Sequence, residues 1–174
     1  ASRRMLLRER VPRRAKLFHG LNQRLPRERH CPAVSTFHDL FVLTGEYSTP
    51  EFRRRFAAQA REAAERSDLI ITVSEFTAGQ VEQLLGVPRK RIRPIPHGVR
   101  PLSPSRLVRQ KMILHVGAIQ KRKNIGRLID AFETVAPGWR LVLAGSAGFG
   151  GGKILDRIAV SPRRVDIDVL GYVP

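Results

Sequence analysis

The sequence predicts an α/β protein of two units, each a parallel β-sheet carrying helices. Three observations predict it: β-prone runs alternate with helical periodicities, the runs end in polar or glycine-bearing turns, and the alternation breaks at a Pro/Ser stretch and then restarts. The 174 residues are enough for one ordinary core or two small ones. Composition is ordinary for a globular chain, at 42% hydrophobic and 27% charged. No apolar run approaches the ~20 residues that a membrane span requires.

The first thirty residues are dense in Arg and broken by Pro12 and Pro26, and read as a surface segment leading into a strand. The basic N-terminus lacks the long apolar core and small-residue cleavage site of a secretory signal. Residues 33–37 form a short β-prone run that empties into His38-Asp39. A helix follows, with Thr49 as N-cap, Pro50 at the first helical position and Glu51 in the first turn. Phe52, Phe56, Ala60 and Ala63 share its apolar face, and Arg53, Arg54, Arg55 and Arg61 fall around the others. The unbroken run 69–73 predicts a parallel strand buried on both faces. Ser74 caps a second helix whose apolar side is Phe76, Val81, Leu84 and Leu85, and Gly86 with Pro88 stops it. Residues 92–95 are extended and close on Pro96-His97-Gly98. The linker, residues 100–105, divides the chain into units 1–104 and 105–174.

In the second unit residues 112–116 predict a strand, 117–124 a polar basic turn, and Ile125, Leu128, Ile129, Phe132 and Val135 an amphipathic helix. A strand over 139–144, a glycine-rich loop over 145–152, a helix over 153–160 and a strand over 165–170 complete it, ending in Gly171-Tyr172-Val173-Pro174. Such alternation implies right-handed βαβ crossovers, so both units read as Rossmann-like.

The charge is the outlier: 32 Lys plus Arg against 15 Asp plus Glu, a formal net of +17. That balance concentrates anionic partners, whether nucleic acid, an anionic membrane face or phosphorylated small molecules, although the excess of Arg over Lys is equally explained by GC-rich coding. Aromatic residues are few, at 6%, and no DNA or RNA motif interleaves them with the Arg runs, so no nucleic-acid partner is expected. A lone Cys31 permits no internal disulfide and fits a reducing, cytoplasmic setting.

Residues 117–124 place Lys121, Arg122 and Lys123 between the end of a strand and the start of a helix. Ligands of open α/β sheets bind at that end, and an anion there meets both fixed cations and the positive end of a helix dipole. A solvated basic loop has the same composition. The glycine-rich loop is in the right context for a phosphate cradle, but its spacing fits neither a P-loop nor a dinucleotide fingerprint, and a flexible connector is the other reading. His38 lies at a strand's carboxyl end, where it can bond a substrate or cap the loop; His97 and His19 are similar cases. No His, Cys, Asp or Glu cluster has zinc-site spacing, and no Gly-x-Ser-x-Gly elbow supplies a hydrolase nucleophile.

Several stretches together resemble the group 1 retaining glycosyltransferases of the GT-B fold, which include many bacterial mannosyltransferases and lipopolysaccharide enzymes. They are Phe18-His19-Gly20-Leu21-Asn22, Val34-Ser35-Thr36-Phe37-His38-Asp39-Leu40, Asp68-Leu69-Ile70-Ile71-Thr72-Val73-Ser74-Glu75-Phe76-Thr77, Ile95-Pro96-His97-Gly98-Val99, Val116-Gly117 through Arg122-Lys123-Asn124, Leu143-Ala144-Gly145, and Gly171-Tyr172-Val173-Pro174, in the family's order. The resemblance implies a GT-B protein with both Rossmann-like units incomplete, the first acceptor-side and the second donor-side. The family's glycine-rich acceptor loop then lies before Ala1, and its pair of donor-holding glutamates after Pro174. Departures are His97 for the usual Asn, Arg100 for the usual Asp, and Ala118 where many members carry an Arg.

The resemblance also implies the chemistry. A hexose leaves a nucleotide-diphosphate sugar, GDP- or UDP-linked, for a glycan or lipid-linked acceptor with retention. No metal or other cofactor is expected. By similarity, Arg122 and Lys123 offset charge on the leaving diphosphate, with Gly117 and Asn124 shaping that turn, and His38 orients the donor's hydroxyls. His97 and Gly98, in the stretch that matches the family's (I/V)-P-N-G-V-D motif, count among the substrate-binding residues, and Tyr172 and Val173 stand where members hold the base. Lipid-linked acceptors imply peripheral attachment to the inner membrane face through the basic segments. A basic nucleic-acid-binding module and a non-catalytic remnant are the rival classes.

Overall fold

The computed structural model describes residues 11–26, 28–45, 47–101 and 108–173. Two compact units divide between Pro101 and Leu102. The linker residues Leu102, Ser103, Pro104 and Ser105, and with them the expected boundary, lie outside the described residues, as does Pro174.

The first unit runs β1 (Phe18–Gly20), β2 (Ala33–Phe37), α1 (Phe41–Thr44), α2 (Pro50–Arg66), β3 (Leu69–Thr72), α3 (Glu75–Leu85) and β4 (Ile92–Pro94), with its strands parallel in the order β1-β2-β3-β4. The caps form as expected. Thr49 Oγ1 accepts the Phe52 N–H at 3.3 Å, Ser74 Oγ accepts the Thr77 N–H at 3.1 Å, and Gly86 ends α3 in the left-handed region at φ 67°. Phe37, Leu40, Ile70 and Ile92 form the core with Ala60, Ala63 and Ala64 of α2 and Ala78 and Val81 of α3.

Three expectations change. Phe52 is half exposed and stacks on Phe56, one turn along its own helix, so the buried stripe of α2 is alanine-built and lets the helix lie close to the sheet. Phe76 is 74% exposed and Leu84 is also exposed, because the buried side of α3 runs through Thr77, Ala78 and Val81, and Phe76 is out of phase with it. β3 buries Ile70 and Thr72 fully but leaves Leu69 and Ile71 half-buried, since α2 and α3 cover one face of the sheet. β1 lies within the stretch Phe18-His19-Gly20-Leu21-Asn22 that resembles the family, and the short α1 has no counterpart in the sequence pattern.

The second unit is β5 (Met112–Val116), α4 (Ile125–Glu133), β6 (Arg140–Ala144), α5 (Gly151–Ala159) and β7 (Ile167–Gly171), with a parallel sheet ordered β5-β6-β7. The stripe Ile125, Ile129 and Phe132 is buried, with Leu128 and Val135 packed beside it. Leu141, Leu143 and Ile167 meet that stripe and Ile154 and Ile158 of α5. Both crossovers step the same way across the sheet, which puts α4 and α5 on one side. The other face exposes Met112, Leu114 and Val116. Parallel sheets are ordinarily covered on both faces. Among the described residues, each sheet here carries helices on one only.

Candidate functional site

Each unit gathers predicted site residues at the carboxyl ends of its own strands. In the first, His38 follows the fully buried Phe37 and is exposed. Its Nε2 lies 2.9 Å from the Leu21 carbonyl oxygen, its own carbonyl accepts the Thr77 hydroxyl at 3.4 Å, and the next carbonyl, of Asp39, accepts from the amide of buried Gln23 at 2.9 Å. A carbonyl only accepts, so Nε2 carries the proton and Nδ1 is the acceptor of the neutral ring. His97 stacks on it, with ring centroids 5.5 Å apart and planes inclined by 24°. Gly98 follows in open, exposed backbone. His19 is not part of this pair; its Nε2 bonds Thr36 Oγ1 at 2.9 Å. Gln23 and Thr77 both hold the backbone around His38; Thr77 closes the stretch Asp68 through Thr77 that resembles the family, whereas Gln23 carries no sequence signal beyond its neighbourhood to Phe18-His19-Gly20-Leu21-Asn22.

In the second unit the basic turn is built on backbone. Gly117 leaves β5 with φ 139°, Lys121–Lys123 form a 3-10 turn, and Asn124 reverses into α4 from the left-handed region at φ 52°, a conformation Asn tolerates better than most residues. Asn124's carbonyl accepts the Arg127 and Leu128 N–H groups at 3.1 and 3.4 Å, while the side chains of Lys121, Arg122 and Lys123 are exposed. The first turn of α4 holds no acidic residue, so its positive end faces the same region as the cations.

The glycine-rich loop is not an open connector. It is laced to the basic turn: the Ile119 N–H donates to Ser146 O at 2.9 Å, Gly148 N–H to Ile119 O at 2.8 Å, and Lys121 N–H to Phe149 O at 2.9 Å. Ile119 and Ala147 pair as a parallel bridge. A Cβ on Gly145 would lie 2.0 Å from the Gly117 carbonyl oxygen, and one on Gly151 2.7 Å from that of Ile119. These glycines let two loops touch, which fixes the turn that presents the cations. The available signal is that both loops leave paired strand ends, Val116 opposite Ala144.

Tyr172 and Val173 follow β7, where Gly171 turns the chain at φ 69° and its carbonyl accepts the Gly145 N–H at 2.6 Å. Tyr172 is 78% exposed and Val173 half exposed. Among the described residues no three His, Cys, Asp or Glu side chains converge as a metal site, and no helix is long and apolar enough to cross a membrane.

The profile of Glycosyltransferase Family 4 matches residues 10–101. O-antigen chain mannosyltransferase B of Escherichia coli is 30% identical over 176 residues, covering 91% of this chain and 46% of that protein. Among solved structures, Anabaena Alr3699/HepE in complex with UDP and glucose superposes with a TM-score of 0.64 at 21% identity, over 82% of this chain and 42% of that one. S. aureus TarM does so at 0.60 and 17%, over 85% and 30%. The chain thus spans less than half the length of these relatives. With the profile matched over more than half of this chain and 82% of it covered in the superposition on Alr3699/HepE, the chain belongs to Glycosyltransferase Family 4 and has the GT-B type of α/β fold.

Proposed function

We propose that this chain serves a glycosyltransferase that moves a hexose from a nucleotide-diphosphate sugar, GDP- or UDP-linked, to a glycan or lipid-linked acceptor with retention of configuration. The observation that carries this reading is the basic turn, three exposed cations at the start of α4 on a backbone hydrogen-bonded to the glycine loop. Arg122 and Lys123 take the diphosphate and offset the charge that develops on it as it leaves; elsewhere one such donor contributes roughly 3–4 kcal/mol. Gly117 and Asn124 set the shape of the turn. His38 meets the donor's hydroxyls, His97 and Gly98 border it, and Tyr172 and Val173 receive the base. The relative from Escherichia coli is a mannosyltransferase, and the Anabaena neighbour was solved with UDP and glucose, which favours a hexose and a nucleotide donor.

The acceptor side of the proposal rests on charge. Arg53, Arg54 and Arg61 of α2 line, with Val42, Leu43 and Leu84, an open groove of about 430 Å³ that mixes cationic and apolar side chains. Such a surface suits the inner membrane face, where each basic residue contributes ~1 kcal/mol. Co-sedimentation with vesicles should therefore rise with anionic lipid and fall with salt, and indifference to both removes the membrane from the proposal.

A protein that continues this chain to the length of its relatives, supplied with GDP- or UDP-hexoses, should release nucleoside diphosphate and form a product with the donor's anomeric configuration. An inverted product, or release that Lys123→Ala leaves unchanged, contradicts the reading.

A further inference from the structure

We infer that His97 is a positioning residue for His38: it holds that ring by its face so that Nδ1 is presented as a hydrogen-bond acceptor to a hydroxyl of a saccharide ligand. The inference rests on the proposed donor role of His38 and adds a residue and a recognition rule to it.

His38 is already held at two points. Its Nε2–H is engaged by the Leu21 carbonyl, and its main chain by Thr77 and, through Asp39, by Gln23. Neither restrains rotation of the ring about the axis through that bond. The His97 ring does, lying 5.5 Å away at 24° on the open face. Both rings stand on fixed bases: His38 follows Phe37 at the end of β2, and the Ile95 N–H donates to Thr72 O at 2.7 Å, extending the β3–β4 pairing to the residue before Pro96. The family motif has Asn at position 97, which offers an amide but no ring. Face and edge together leave the neutral imidazole one free polar atom, the Nδ1 lone pair. It takes a hydroxyl proton and refuses a bare acceptor such as a phosphate oxygen.

The experiment compares wild type with His97→Ala, His97→Asn and His97→Phe in the 174-residue chain. Proton–nitrogen NMR at a pH where the imidazoles are neutral reads the His38 ring. Wild type and His97→Phe should show His38 ring protons shifted upfield by the stacked ring and a single Nε2–H form; Ala and Asn should lose the upfield shift. Melting temperatures should stay together, because His97 is exposed. The second readout is the ratio of affinity for a GDP- or UDP-hexose to that for the same nucleoside diphosphate. It should fall about 2- to 10-fold in Ala and Asn, the worth of one stacked pair, and recover in Phe. Unchanged His38 signals in His97→Ala, or a melting temperature that drops with them, overturn the positioning role. A wild-type affinity ratio of one overturns the sugar reading itself, while the NMR signals decide separately whether His97 holds His38.

Discussion

The two strand-end clusters use opposite means. In the first unit every contact is made by a side chain: the His38 ring is pinned at its edge to a backbone carbonyl and stacks on His97, and Thr77 and Gln23 brace the backbone behind it. In the second unit backbone holds backbone, glycine against carbonyl, and the charged residues of the turn are exposed. The contrast follows from the ligand groups proposed for each. A hydroxyl is recognised by direction, which needs an oriented ring. A diphosphate is recognised by charge, which needs a rigid platform and long cationic arms that adapt.

The sharpest way to break that contrast is to put a side chain where two backbones meet. Gly145→Val places a Cβ 2.0 Å from the Gly117 oxygen, at φ 155°. Overlap of this kind costs about 1–3 kcal/mol, and the backbone conformation a similar amount. Hydrogen exchange should show the second unit opening while the first keeps its protection, with nucleoside diphosphate affinity lost. Equal loss in both units would mean that the loop is not a local clasp.

A smaller effect is expected at a cap in the first unit. Ser74→Ala removes the oxygen that accepts the Thr77 N–H and also bonds the Thr77 hydroxyl at 3.0 Å. It should cost about 1 kcal/mol in urea unfolding. Because Thr77 also reaches the His38 carbonyl, the variant should loosen His38 as well. Second-unit amides should be unaffected.

The smallest effect is a pH dependence. Asp68 is held below the usual carboxylate range by the Ala33 N–H at 2.7 Å and by Arg29 at 2.5 Å. A carboxyl whose folded value is depressed stabilises the fold above its unfolded value and loses that contribution as pH falls through the folded one, here below about pH 4. The pair is partly exposed, so the effect is modest. Urea midpoints of the first unit should fall more steeply between pH 5 and pH 3, acidities of the order of the carboxylate range, in wild type than in Asp68→Asn; parallel slopes would remove Asp68 from the account.

Where local chemistry decides, the sequence is legible. Thr49, Pro50, Ser74 and Gly86 mark helix ends, β2 and β5 coincide with their β-prone runs, and the α4 stripe is buried as its spacing requires. Where distant partners decide, it is not. Phe76 looks like a core residue until the phase of α3 is known, and Phe52 until it stacks on Phe56. β1 is three residues long in an Arg-rich segment and exists by pairing with β2. The candidate site shows the same split. The basic turn can be read from strand, cations and helix in succession, but the purpose of Gly145 needs the Gly117 carbonyl, and His97 needs His38.

The most direct test of the central claim, that the basic turn is a diphosphate site, is calorimetry on wild type and Lys123→Ala with a nucleoside diphosphate and with the matching nucleoside. Lys123 is exposed, so its loss should leave the fold intact. Lys123→Ala should weaken the diphosphate about 10-fold or more, as for one charge-assisted contact of some 1.5–3 kcal/mol, and change the nucleoside little. Equal losses for both ligands, or none for either, would move the diphosphate away from this turn.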